Sequence, residues 1–533
     1  MNLKKNEIIK LKIEGMSAEG NGVGRYMGIA IFVPLTAIGD TINARILKVF
    51  KSYAFAKIEK ILNASKDRIE TDCPYFSQCG GCSYRHISYE AEARIKEQRV
   101  SDAITRIGGI ENANIMPIIS ADNRDNYRNK ALIPLGVDKN GEMTMGFYAV
   151  NSHRIIDTAY CQLQPDEFNT AMIVFRDWAK SYGDSIYNEA THEGVMRRLY
   201  LRKAEKSGEI MVCVIVNADG LKHEAELVSA MKEAIPNLKS VIINTNKEKT
   251  NVALGKKNRT IFGTDTITDE LCGLNFEISP LSFYQINRNQ TEKLYEKARE
   301  YATITCNDII LDLYCGTGTI GLSMAKSAKK LIGVEIIEAA VENARKNAEN
   351  NNINNAEFIC ADAAEAARLL IGKGETPDVI VIDPPRKGCS NELIHTIADF
   401  QPKRLVYISC DSATLARDLK IFATLGFSIC ELTPVDMFPA TSHVETVALL
   451  SKLKSTQSIE VEIELDEMDL TQAESKATYD EIKAYVLKQA GLKVSQLYIA
   501  QVKRNHAIIE RENYNIGEGK AFHLKKKKLL RMH

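Results

Sequence analysis

Six short apolar runs recur between residues 309 and 450: Ile309 to Leu313, Leu331 to Val334, Phe358 to Ala361, Val379 to Ile382, Leu405 to Ile408 and Val447 to Leu450. Each is too short for a buried helix, and stretches with helical spacing lie between them. A strand that is apolar on both faces has to be covered on both faces. That is the condition of a mostly parallel sheet with helices on either side. The pattern predicts a doubly wound, Rossmann-like α/β domain over residues 282–452, with its ligand at the carboxyl ends of the strands.

Those strand ends carry polar chemistry. Asp312-Leu313-Tyr314-Cys315-Gly316-Thr317-Gly318-Thr319-Ile320-Gly321 follows the first run and opens a helix. Its glycines let the backbone approach a ligand closely. Glu335 ends the second run, roughly twenty residues on, the place of a carboxylate that accepts from ribose hydroxyls. Asp362, after the third run, is placed to reach an adenine, and Asp383, in Asp383-Pro384-Pro385-Arg386, ends the fourth. The loop lacks both the full Gly-x-Gly-x-x-Gly of a dinucleotide fold and the Lys-Ser/Thr of a phosphate loop. S-adenosylmethionine has no phosphate to cradle, so it is the nucleotide cofactor that this shorter turn fits. Any one of these acids read alone is a helix cap or an ion pair; acids ending successive strands point to a ligand.

Leu405-Val406-Tyr407-Ile408-Ser409-Cys410 ends abruptly in a small residue and a thiol, which delivers Cys410 to the sheet's edge. A thiol and a carboxylate beside a methyl donor suit one reaction. Uracil C5 is a poor nucleophile until a thiolate adds to C6 and makes the ring an enolate. Once C5 is methylated, its proton must leave so that the thiolate can depart. This needs a nucleophilic cysteine and a general base. Cys410 is the candidate nucleophile, with a pKa expected to be lowered by the following helix N-terminus. Glu445, in His443-Val444-Glu445, is the candidate base. An inert buried thiol is the commoner fate of a strand cysteine; the position of Cys410 argues against it.

The rest of the chain is organised differently. At 533 residues it is too long for one core. Net charge is +0, so nucleic-acid affinity has to come from local patches. Residues 1–62 read as short alternating strands broken by glycines, the pattern of a small barrel. Ten Lys or Arg stand against five Asp or Glu in the first sixty residues. Arg25, Arg45, Lys48, Lys51 and Lys57 on such a barrel suit single-stranded nucleic acid. The motif Glu19-Gly20-Asn21-Gly22-Val23-Gly24-Arg25 resembles the TRAM domain, an OB-like RNA-binding module. In the central region Tyr127-Arg128-Asn129-Lys130 and Arg197-Arg198-Leu199-Tyr200 interleave basic and aromatic residues, as an RNA-contacting face or a solvated strand edge would. No run reaches the roughly 18 apolar residues of a membrane span, and no apolar core follows the basic start Met1-Asn2-Leu3-Lys4-Lys5. A cytoplasmic, monomeric protein is expected, whose twelve cysteines are thiols or ligands rather than disulfides.

Cys73, Cys79 and Cys82 have the spacing C-x5-C-x2-C, with Cys161 far downstream. Structural zinc usually takes paired C-x2-C units, and only one is present. Zinc, an iron–sulfur cluster and unligated thiols are all compatible with the spacing.

Residues 282–450 resemble the RNA uracil-5-methyltransferase family. The resemblance rests on Ser282-Phe283-Tyr284-Gln285-Ile286-Asn287, Asp312 to Gly318, Asp383-Pro384-Pro385-Arg386-Lys387-Gly388, Ser409-Cys410-Asp411 and His443-Val444-Glu445. It implies Cys410 as nucleophile and Glu445 as proton acceptor. It also implies cofactor contacts from Gln285, Tyr314, Thr319, Glu335, Asp362 and Asp383. The family usually has Asn-Pro after the cysteine; this chain has Asp411-Ser412. The four-cysteine layout resembles the iron–sulfur site of the ribosomal-RNA branch, which implies a four-iron, four-sulfur cluster on Cys73, Cys79, Cys82 and Cys161. The expected organisation is a TRAM barrel (1–62), a central α+β iron–sulfur and RNA-binding domain (63–281), the methyltransferase domain (282–452) and an appendage (453–533) of unknown role. Residues 91–123 are expected to pack with the methyltransferase domain. The expected activity is C5 methylation of one uridine in 23S ribosomal RNA. Rivals are transfer-RNA uracil methylation, cytosine-5 methylation, and a non-catalytic RNA-binding assembly factor. Cytosine-5 enzymes place a cysteine after the Pro of their fourth motif, where this chain has Pro385-Arg386.

Overall fold

The computed structural model describes residues 3–250 and 252–452, together with the backbone of 459–461 and 530–532. Residues 1–452 and 453–533 form separate compact units. In the second unit the strands Ile459–Val461 and Leu530–Met532 pair antiparallel. Tyr479 to Leu487 and Val494 to Val502, which read in sequence as two amphipathic helices around Gly491, lie outside the described residues.

Near the N-terminus six strands form one sheet in the order Ile8–Lys12, Thr41–Val49, Tyr53–Asn63, Ile29–Val33, Gly22–Tyr26, Gly15–Met16. Alternation sets its inner face: Leu11, Ile31, Ile42, Ala44, Ile46, Ala54 and Ala56 are sequestered from solvent. The sheet curls closed where Gly24 approaches the first strand. A Cβ there would lie 2.3 Å from the Lys12 carbonyl, so the close approach requires glycine.

The central sheet has seven strands, in the order Lys257–Gly263, Leu238–Thr245, Ile210–Val216, Met196–Lys203, Lys130–Val137, Met143–Tyr148, Ile155–Asp157. Ile210–Val216, apolar throughout and fully buried, is parallel to Leu238–Thr245. Helices Asp166–Tyr182 and Glu224–Ala234 cover one face through Phe168, Phe175, Trp178, Leu227 and Met231.

The third sheet runs Ala356–Cys360, Lys330–Glu335, Ile309–Leu313, Val379–Ile382, Arg404–Ser409, Glu445–Lys452, Phe427–Val435. Its first five strands are parallel, and Glu445–Lys452 is antiparallel to both its neighbours. The strand Phe427–Val435 is absent from the sequence-based reading. It mixes Ser428, Glu431 and Pro434 with apolar residues, which breaks the apolar run that marks the other strands. The third strand spans Ala356–Cys360 rather than ending at Ala361. The helix Tyr89–Arg106 packs on this domain, burying Val100, Ala103 and Ile104 with Leu415, Ala416 and Leu419. Beyond it, Ile115 pairs with Leu432 and Ile119 with Val435, extending the sheet edge. No helix among the described residues is long and apolar enough to cross a membrane.

Candidate active site

The loop after Ile309–Leu313 turns through Tyr314 (φ 66°), Gly316 (φ 55°) and Gly318 (φ 82°) into the helix Thr319–Ala325. Left-handed backbone at three alternate positions coils the turn tightly on itself, with Cys315 N–H donating to Val334 O and Gly318 N–H to Cys315 O. Glu335 braces this turn: Oε2 accepts from Gly316 N–H at 3.1 Å and Oε1 from Ile337 N–H at 2.9 Å. Asp312 is buried and accepts from Gly321 N–H at 2.9 Å, while its Oδ1 has no partner among the described residues. Burial pushes its carboxyl up to about 8, with Asp383 and Glu335 adding repulsion. Asp383, just past the fourth strand, is pushed up to about 7 by burial alone. Uncompensated carboxylates around a glycine turn, with an orphaned oxygen among them, fit a ligand that carries positive charge and hydroxyls. S-adenosylmethionine has both.

The other expected cofactor residues are placed less uniformly. Asp362 is exposed and caps the helix Ala363–Gly372, with Oδ1 accepting from Ala364 and Glu365. The hydroxyl of Thr319 pairs with that of Tyr295 at 2.8 Å. Gln285 lies on a loop held by the central domain: Asn129 Nδ2 donates to Gln285 O, and Arg202 Nη1 donates to Ser279 O and Ser282 O. Sequence reasoning passed over Ile336 and Ile337, which are 65% and 60% exposed beside Glu335. Two exposed isoleucines at a strand's carboxyl end are the signal, because apolar residues there wall a planar ligand.

Cys410 follows the strand Arg404–Ser409, and Asp411 caps the helix Ser412–Thr424. Asp411 Oδ1 accepts from Ala413 N–H at 3.0 Å and Thr414 N–H at 2.9 Å. The expected lowering of the thiol pKa is therefore not found. The cap carboxylate uses the amides that would have stabilised a thiolate. Burial, then Glu445 and Asp383, push Cys410 up to about 11, against partial relief from Arg386. Glu445 opens the last strand, is 7% exposed, and is pushed up to about 8 by burial and then by Asp383. Among the described residues nothing hydrogen-bonds its carboxylate. His443 is driven down to about 4, first by burial and then by Arg386 and other cations, so it is neutral near pH 7. Thiol, two carboxylates and one arginine thus share a single electrostatic environment, as neighbouring strand ends should.

Cys73, Cys79, Cys82 and Cys161 line one cavity of about 100 Å³, with Tyr75 and Arg128 among its walls. Gly81 N–H donates to Cys79 Sγ at 3.4 Å. Burial raises Cys79 and Cys161 and pushes Cys82 up to about 12, with the thiols adding to one another's cost. Among the described residues no three His, Cys, Asp or Glu side chains gather closely enough to hold a single metal ion.

On the outside of the N-terminal barrel, register aligns Val23, Phe32, Phe55 and Lys48 in one cross-strand row. Phe50 stacks on Tyr53 at 4.6 Å, Phe32 and Phe55 stand 5.6 Å apart, and Lys48 Nζ lies 4.7 Å over the Phe50 ring. Four aromatic rings on the outward face of a sheet, beside exposed Lys48, Lys51, Lys57 and Arg25, form a stacking platform rimmed by cations.

Residues 207–453 match the family model described as tRNA (Uracil-5-)-methyltransferase, and residues 3–58 match the TRAM domain. A Clostridium tetani protein described as an uncharacterized RNA methyltransferase is 40% identical over 84% of this chain and 97% of its own length. A Clostridium acetobutylicum protein of the same description is 41% identical over 85% and 98%. Among solved structures, Pyrococcus abyssi tRNA (uracil-54, C5)-methyltransferase with S-adenosyl-L-homocysteine superposes with a TM-score of 0.68 at 27% identity. That match covers 83% of this chain and all of the other. A glycine turn ringed by carboxylates, a thiol facing a carboxylate across adjacent strands, and these matches converge: the chain belongs to the S-adenosylmethionine-dependent RNA uracil-5-methyltransferases that carry a TRAM domain.

Proposed function

We propose that Cys410 and Glu445 carry out the uracil C5 methylation, on a uridine of 23S ribosomal RNA. The observation that carries this is the pairing of a half-buried thiol with a buried, unpartnered carboxylate at the ends of adjacent strands. Cys410 loses its proton to solvent, the thiolate sulfur bonds to C6, and the C5=C6 electron pair moves toward the C4 carbonyl as an enolate. S-adenosylmethionine, when bound, would supply the methyl group to C5, its S–CH3 electron pair staying on the departing S-adenosylhomocysteine sulfur, and its positive charge would offset part of the repulsion that Glu445 and Asp383 add to burial in keeping the Cys410 thiol protonated. The ionised form of Glu445, whose share grows as pH rises through about 8, then takes the C5 proton. The C–H electron pair restores C5=C6, the C6–S bond breaks, and the thiolate returns. The target base leaves its stack to reach this site.

Gln285, Tyr314, Thr319, Glu335, Asp362 and Asp383 are assigned to the cofactor, Thr319 and Asp362 while also serving Tyr295 and a helix cap. The barrel's aromatic platform is assigned to a single-stranded part of the RNA. Cys73, Cys79, Cys82 and Cys161 are assigned to a four-iron, four-sulfur cluster. Four thiols around one cavity are a soft donor set, and their spread suits a cluster better than one zinc ion. Its role is to tie residues 73–82 to 161, and no step of the methylation passes through it.

Transfer RNA is the second reading. A transfer-RNA enzyme matches 83% of this chain, so the presence of domains beyond the catalytic one does not by itself argue for ribosomal RNA. Mass mapping of 5-methyluridine in cells lacking the protein separates the two. Loss from 23S RNA supports the first reading, and loss confined to the transfer-RNA T-loop selects the second. Cys410→Ala should abolish methylation while leaving S-adenosylhomocysteine affinity within a few-fold. Undiminished turnover would overturn the nucleophile and favour a non-catalytic assembly role.

A further inference from the structure

The segment joining Phe427–Val435 to Glu445–Lys452 has no regular structure, yet its carbonyls are fastened from outside it. Gln290 Nε2 donates to Asp436 O at 3.0 Å and Asn287 Nδ2 to Met437 O at 3.1 Å. Lys96 Nζ donates to Phe438 O at 3.1 Å and Tyr127 OH to Pro439 O at 3.0 Å. The Ser83 and Tyr84 amides donate to Ala440 O at 2.8 and 3.0 Å, and Arg99 Nη1 to Ser442 O at 2.6 Å. All but the Gln290 and Asn287 donors come from residues 83–127, far from this segment in sequence.

A fully buried charge cluster anchors the same segment. Lys96 Nζ lies 2.7 Å from Glu92 Oε1 and 2.6 Å from Asp436 Oδ1. Glu92 Oε1 also accepts from Ala440 N–H at 2.7 Å, Glu92 Oε2 pairs with Arg124, and Tyr89 OH donates to Asp436 Oδ2. Ala440 itself has φ 65°, a conformation a non-glycine residue keeps only when its surroundings impose it. Burying three charges costs more desolvation than well-packed apolar side chains would, so stability alone does not account for the cluster. Fixing one conformation does. The fixed segment leads straight into His443 and Glu445.

We infer that Lys96, Arg99 and Tyr127 are positioning residues for Glu445, holding the 436–443 segment so that the carboxylate reaches the proton it removes. The inference rests on the assignment of Glu445 as the base. It gives the helix Tyr89–Arg106 a part in the second half of the reaction. Arg99 also donates to Ala18 O of the barrel at 3.0 Å, so the same side chain links barrel and base.

Tyr127→Phe and Arg99→Gln each remove one donor set and leave the Lys96 cluster intact. The test uses the full chain, S-adenosylmethionine and ribosomal RNA from cells lacking the protein. Covalent protein–RNA adduct is followed in a single turnover on denaturing gels. Both variants should form adduct at the normal rate and resolve it about three- to tenfold more slowly, the effect on alignment of losing one hydrogen bond to the 436–443 segment. Affinity for S-adenosylhomocysteine should not change. In a Glu445→Gln background, Tyr127→Phe should slow resolution no further, because no base remains to be misplaced. Equal slowing of formation and resolution, or additivity with Glu445→Gln, would overturn the positioning role. If Glu445→Gln itself fails to accumulate adduct, the base assignment falls and the inference falls with it.

Discussion

Glu445→Gln should make the protein more stable, by an amount that grows as pH rises from about 4.5 to 8 and then levels off. The Glu445 carboxyl titrates at about 8 in the folded chain against an ordinary 4.5. The folded chain therefore holds that proton more tightly than the unfolded chain does. Its contribution to stability is fully present below pH 4.5 and is lost as pH rises through 8. At 1.36 kcal/mol per pH unit, keeping the buried carboxylate ionised above pH 8 costs about 4–5 kcal/mol. Burial is the larger cause and Asp383 the second, with Arg386 giving partial relief. A glutamine of the same shape never ionises. Variant and wild type should unfold together at pH 5. By pH 9 the variant should melt higher, by on the order of 10 °C for a unit the size of the catalytic domain. Differential scanning calorimetry from pH 5 to 9, without cofactor, reads this directly. The same stabilisation at pH 5 as at pH 9 would mean that packing, not charge, is responsible. No stabilisation at any pH would mean that Glu445 is solvated, and the raised pKa on which the base's chemistry depends would be wrong.

Three further outcomes are expected. S-adenosylmethionine, a cation, should raise the melting temperature more than neutral S-adenosylhomocysteine at pH 8.5. The gap should close by pH 5, where Asp312, Asp383 and Glu445 are protonated; equal shifts throughout would remove the charge argument. Phe55→Ala should weaken binding of a single-stranded RNA by about 1–3 kcal/mol, read by fluorescence anisotropy at fixed salt, with S-adenosylhomocysteine affinity unaffected; unchanged RNA affinity would free the platform for another role. Anaerobic reconstitution with iron and sulfide should load the wild-type chain with about four irons and a broad visible absorbance. Cys82→Ser should lose most of both, and stoichiometric uptake of one zinc in competition would refute the cluster.

The candidate residues at the strand ends could be located from the sequence because their signal is local. A buried parallel strand must be apolar and must end where the sheet ends. Cys410, Glu335 and Asp383 therefore announce their place at strand ends without any tertiary information. The strand Phe427–Val435 did not announce itself, because Ser428, Glu431 and Pro434 break its apolar run: its first half is only half-buried, and its buried second half is paired by residues 115–119 from far away in sequence. The lowered thiol pKa expected of Cys410 is not found, first because burial raises it and Glu445 and Asp383 add to that, none of which the sequence shows. A helix start is visible in sequence, but whether its amides are free depends on the Asp411 side chain turning back onto Ala413 and Thr414.

The amino-acid order alone determined that a doubly wound sheet presents a thiol and several acids along one edge, since apolar runs of that length leave the chain few ways to bury them. Tertiary structure alone decided how those groups feel one another. Asp383 raises Glu445, both raise Cys410, and Lys96 grips a segment more than three hundred residues downstream. Electrostatic coupling and hydrogen bonding depend on separation in space and on exclusion of water, and neither quantity is written in the spacing of residues along a chain.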